Sequence, residues 1–163
     1  MRLLKKELLK LEKDELIEVI LSAYGASKET KEYFDFFLNP DIDLLREKYQ
    51  EMIVKEFRRT RRVYYSKARI NTVRRIIKKF SSFDPGSEYV VEFYIFTITH
   101  SLSTERNLNF TPVLYNGTKK LAEDLLKYAD KHRVFDLAVK GLSNLIKSDV
   151  TSTRFRRLLG EVI

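Results

Sequence analysis

The sequence contains no cysteine, which excludes a disulfide framework, a thiolate nucleophile and a thiolate metal centre. A reducing compartment is compatible with that absence. Only five glycines occur, Gly25, Gly86, Gly117, Gly141 and Gly160, and they lie too far apart for a P-loop or a dinucleotide-binding fingerprint. Imidazoles are equally scarce. His100 and His132 are preceded three residues earlier by Thr97 and Ala129, so the Glu-x-x-His pattern of a di-iron helical bundle is missing. No segment resembles a nucleophile elbow. Long apolar runs are lacking too: the richest window, residues 89–102, contains Glu92 and His100 and falls short of the roughly 18 apolar residues of a spanning helix. We therefore expect no membrane span. In Met1 to Leu9, Lys5, Lys6 and Glu7 interrupt the leucines where a signal peptide needs unbroken apolar sequence, so we expect this stretch to be structural and the protein cytoplasmic. Asp41 and Asp43 lack the glycine of a calcium loop and are read as helix caps. No cofactor, metal site or catalytic residue is expected from these patterns.

What is present is an ordinary globular composition, 163 residues with 44% hydrophobic and 33% charged side chains. A chain of this length buries about 70% of its unfolded surface, so one domain spanning 1–163 is the expectation. Apolar residues recur at steps of three and four along most of it. Leu16, Ile17, Ile20, Leu21 and Tyr24 are expected to face inward from a helix capped by Asp14, and Gly25 and Ser27 to mark its end. A third helix, rich in aromatics, stops at Asn39-Pro40 because proline disfavours helix in the residue before it. The fourth presents Leu45, Tyr49, Met52, Ile53 and Phe57, and the fifth, from about Ser66 to Ser81, buries Ile70, Val73, Ile76, Ile77 and Phe80.

The segment 89–99 is β-branched and aromatic, and propensity alone favours a strand. A central helix is nevertheless expected, since a lone strand would have no partner. Thr111 and Pro112 form an N-cap and first-turn pair for a helix carrying Leu114, Leu121, Leu125 and Tyr128, in which Gly117 weakens the opening turns. Two more helices follow, the last capped by Ser152. The fold class is an all-α bundle or array of about eight to nine helices.

One segment departs from background. Residues 55–79 hold eleven basic side chains against Glu56 alone, a local charge of +10 in a chain whose other 138 residues sum to −2. Lys67, Arg74, Arg75, Lys78 and Lys79 share an arc of the fifth helix opposite its apolar stripe, spread over roughly 18 Å at 1.5 Å per residue. The connector before it adds Arg58, Arg59, Arg61 and Arg62 beside Tyr64 and Tyr65, a set that suits phosphates while bases stack on rings. The bland alternative is a solvated face of an amphipathic helix. An acidic protein and anionic lipid are the other partners such a face suits. Glu92, alone in the most apolar window, needs a partner, and Arg69 is the candidate for an internal ion pair with it.

Lys5-Lys6-Glu7-Leu8, the run Tyr33-Phe34-Asp35-Phe36-Phe37-Leu38-Asn39-Pro40-Asp41, Lys55-Glu56-Phe57, and Lys67-Ala68-Arg69 leading into Ile77-Lys78-Lys79-Phe80 carry a resemblance. They are similar to a family of small all-helical bacterial proteins known as a domain of unknown function. That resemblance implies a bacterial, cytoplasmic, helical protein and no activity. The residues themselves lead us to expect a binding protein rather than an enzyme, with nucleic acid as the partner and residues 55–79 as the contact. The alternatives are a protein-interaction or homo-oligomerisation module, and an enzyme whose site has no familiar motif.

Overall fold

The computed structural model describes residues 2–57, 68–107, 111–149 and 151–163, and every element among them is a helix. The all-α expectation therefore holds. Contacts divide the chain into two compact units, residues 1–41 and 42–163.

The first unit holds α1 (Arg2–Leu8), α2 (Lys13–Ala26) and α3 (Lys28–Leu38). Helix α2 starts two residues earlier than an Asp14 cap predicts, with Glu12 in the N-cap position: the Glu12 N–H donates to Glu15 Oε2 at 2.8 Å, half of a capping box. Gly25 stays helical, and the break falls at Ser27, whose hydroxyl caps α3 by accepting from the Thr30 N–H. Tyr24 and Phe34 tilt against each other across this hairpin, and the Tyr24 hydroxyl donates to Asp35 Oδ1 at 2.8 Å. The inward face expected of α2 is not buried. None of the three helices has a buried residue, and Ile17, Ile20 and Leu21 are exposed, because two short helices packed side by side cover only one flank of each other.

The second unit holds α4 (Ile42–Phe57), α5 (Ile70–Ser81), α6 (Ser87–Asn107), α7 (Pro112–Lys131), α8 (Phe135–Lys147) and α9 (Thr153–Val162). Helix α6 is the hub and touches α4, α5, α7 and α8. The segment with strand-like propensity thus lies inside the longest helix, where burial on several sides outweighs local preference. Its hydroxyls bond within the helix: Thr97 donates to the Phe93 carbonyl, Thr99 to Ile95 and Ser103 to Thr99. Ser101, fully buried, lies 2.6 Å from Thr118 Oγ1 on α7, and Thr118 donates to the Leu114 carbonyl. Ser101 must then be the donor to Thr118, which closes the chain of hydroxyls.

Thr104 and Thr151 are buried too and donate to the His100 and Leu145 carbonyls; the other buried residues described are apolar. Phe80 and Phe93 stack at 4.5 Å, Tyr49 tilts against Phe80 and meets Phe83 edge-on, and Phe155 of α9 rests on Tyr115. The expected stripes of α4 and α5 are mostly buried as read, with Met52 exposed and Ile70 partly open, and α8 and α9 add Ala138, Leu142, Leu145, Phe155, Leu158 and Leu159. Helix α7 is capped as the sequence indicates, by Thr111 accepting from the Leu114 N–H with Pro112 following.

Two glycines set helix separations. A Cβ on Gly117 would lie 2.6 Å from Ile70 Cδ1 and nearer still to its Cγ1, so α7 approaches the start of α5 only because residue 117 lacks a side chain. Gly141 of α8 stands in the same relation to Ile95 of α6.

Candidate nucleic-acid interface

The amphipathic period of α5 puts Val73, Ile76, Ile77 and Phe80 into the core and leaves the opposite arc to cations. Arg75 and Lys78 are exposed there; Arg74 and Lys79 are half-buried. Arg58, Arg59, Arg61, Arg62 and Lys67 lie outside the described residues, and helix α5 begins at Ile70 rather than at Ser66.

The residues that end α4 and precede α5 are tied together. Arg69 Nε and Nη2 donate to the two oxygens of Glu56 at 2.9 and 3.1 Å, and the Arg69 N–H adds a third bond at 3.0 Å. These bonds hold the Glu56 carboxyl below the usual carboxylate range. The ion pair expected between Arg69 and Glu92 does not form. Arg69 meets the acid at the end of its neighbouring helix, while Glu92 is exposed on α6 and faces Arg46 of α4 at 3.7 Å. The apolar window around Glu92 is buried on most sides but open on that one.

Arg74 is not an unengaged cation either. Its Nε and Nη2 grip the two oxygens of Asp124 on α7 at 2.6 and 3.0 Å, a bidentate pair across a 50-residue separation. Beside this pair opens a cleft of about 420 Å³ between α5, α6 and α7. Asn71, Arg75 and Lys78 line its α5 side, and Tyr94 and Tyr128 stand opposite. Burial, with Asp124 adding to it, pushes the Tyr94 hydroxyl up to about 12, and burial also raises Tyr128. Both phenols are therefore neutral and able to donate at physiological pH. Tyr128 stacks on His132, the C-cap of α7, at 4.2 Å.

His100 lies elsewhere, edge-on to Phe57 and stacked with Phe96, and burial lowers its pKa. Among the described residues no group of acids and histidines is arranged to hold a metal ion, and no helix is long and apolar enough to cross a membrane. Sequence reasoning found Arg74, Arg75 and Lys78 but missed Asp124, Tyr94 and Tyr128. Tyr128 falls on the apolar stripe of α7, and nothing local marks Asp124 as the acid opposite Arg74.

Fold and site together define an all-α protein whose basic helix borders an open, tyrosine-walled cleft. The chain belongs to the Family of unknown function (DUF6155), whose model matches residues 1–145. No curated protein and no solved structure matches it.

Proposed function

We propose that the protein binds single-stranded nucleic acid through the cationic arc of α5 and the arginines of the connector before it. The observation that carries this reading is the placement of exposed Arg75 and Lys78 at the edge of a cleft walled by two neutral tyrosines. Cations in a row serve phosphates, and rings beside them serve bases. The Glu56–Arg69 bonds support the reading, because they anchor both ends of the connector at the foot of the same helix.

Fluorescence anisotropy with labelled single-stranded RNA and duplex DNA, at about 50 and 200 mM salt, tests it. Four to six phosphate contacts on a single strand give a slope of log affinity on log salt of about −3 to −4. Replacing Arg75 and Lys78 with Gln should weaken binding and flatten that slope without unfolding the protein, since both side chains are exposed. Absence of binding at the lower salt overturns the proposal.

A second reading, association with a protein partner or a second copy, draws on residues 1–41. None of that unit's described residues is fully buried, and it exposes Leu9, Phe37 and Leu38 to two-thirds or more. Sedimentation over a range of protein concentrations tests it, and a monomer throughout removes self-association.

A further inference from the structure

The cleft beside α5 has a charge balance that the phosphate backbone of a strand does not require. Its lining carries Arg74, Arg75 and Lys78 against Asp124, a net of +2. A backbone phosphodiester bears one negative charge, whereas a phosphomonoester, with a second pKa near 6, bears about −1.5 to −2. We propose that this cleft holds a terminal phosphomonoester, the phosphorylated end of the single strand bound along α5; the inference rests on the nucleic-acid reading above.

The donors suit the group. Asp124 takes Nε and one Nη2 hydrogen of Arg74, which fixes the guanidinium plane and leaves three N–H groups unused by that pair. Asn71, Arg75 and Lys78 follow one another at helical steps of four and three, so they present amide, guanidinium and ammonium within about 10 Å along one face. Tyr94 and Tyr128 close the opposite wall with neutral hydroxyls. The volume, about 420 Å³, is that of a small-ligand pocket and accommodates one nucleotide rather than a duplex end. Asp124 supplies selectivity as well. As a negative charge beside Arg74 it competes with any incoming anion and so opposes those that make few contacts.

The test compares strands of about twelve nucleotides with unphosphorylated ends, with a 5′-phosphate and with a 3′-phosphate, by anisotropy at about 150 mM salt. An unphosphorylated strand two nucleotides longer controls for total charge. One or two charge-assisted hydrogen bonds predict roughly tenfold tighter binding of at least one phosphorylated strand. Lys78→Gln should reduce that preference to about twofold or less. Arg157→Gln on α9, outside the cleft, should keep it in full. Equal affinity for phosphorylated and control strands overturns the cleft assignment and leaves the nucleic-acid reading standing. If no strand binds but a free nucleoside monophosphate at millimolar concentration raises the melting midpoint of the wild type and not of Lys78→Gln, the strand reading fails and the monoester site survives. If neither probe binds, both are overturned.

Discussion

Gly117→Ala isolates a single contact between α7 and α5, and its sign should depend on what occupies position 70. Alanine in mid-helix is favoured over glycine by about 1 kcal/mol. Against that gain, the new methyl group would stand 2.6 Å from Ile70 Cδ1, and forcing an extra carbon into a filled contact costs about 1–3 kcal/mol. The net expectation is a loss of about 1 kcal/mol. In an Ile70→Ala background the two obstructing carbons are gone, and what remains, the Cβ of residue 70, lies at an acceptable 3.4 Å. The same substitution should then stabilise by up to about 1 kcal/mol relative to its own parent. Urea unfolding of the four chains, with m-values compared, gives the cycle directly, and the coupling should reach about 1–3 kcal/mol. Gly160→Ala is the control: no atom lies within 4 Å of the added carbon, so it should be stabilising in both backgrounds. The close approach of α7 and α5 is refuted if Gly117→Ala stabilises the wild type as Gly160→Ala does, or if the coupling is below about 0.5 kcal/mol.

Asp124→Asn removes the charge that occupies Arg74 while preserving side-chain shape. Strand affinity by anisotropy should rise several-fold, stability should fall by no more than about 1 kcal/mol because Arg74 is 39% exposed, and weaker binding would contradict the competition between carboxylate and phosphate. Burial lowers the pKa of His100, so the unfolded chain takes up its proton more readily than the folded one. Its contribution is complete above the unfolded value near 6.5 and is lost as pH falls through the folded value; His100→Gln should lessen the decline in unfolding midpoint between pH 7.5 and 5.5, and an unchanged profile would rule this out. Thr118→Val strips the buried Ser101 hydroxyl of its acceptor and should cost about 1–3 kcal/mol, of which adding Ser101→Ala should recover at least half.

The parts legible in the sequence are those governed by neighbours along the chain. The buried stripe of α5 and the Thr111-Pro112 start of α7 follow from helical period and capping chemistry, which act within a turn or two. Helix α6 was legible only by argument from the whole, since its own residues favour a strand. The errors lie where spatial neighbours decide. The need of Glu92 for a partner pointed to Arg69, but Arg69 meets Glu56, thirteen residues away in sequence, and Glu92 faces Arg46. Gly117 read as a weak point of α7 and is instead the position that admits Ile70. Arg74 was visible as a cation, yet its partner fifty residues on was not, so half of the cleft escaped notice. The apolar spacing of α2 implied a buried face, and spacing cannot report how much partner surface is on hand to cover it.

Helix α9 bears on how this family is delimited. It packs on α7 and α8 and places Phe155, Leu158 and Leu159 in the core at 1% exposure or less, yet it begins at Thr153, beyond the residues the family model matches. The span shared by the family is therefore not a unit that closes on itself in this chain. A polypeptide ending at residue 145 would present bare apolar surface on two helices, inviting aggregation in any expression trial designed from that boundary.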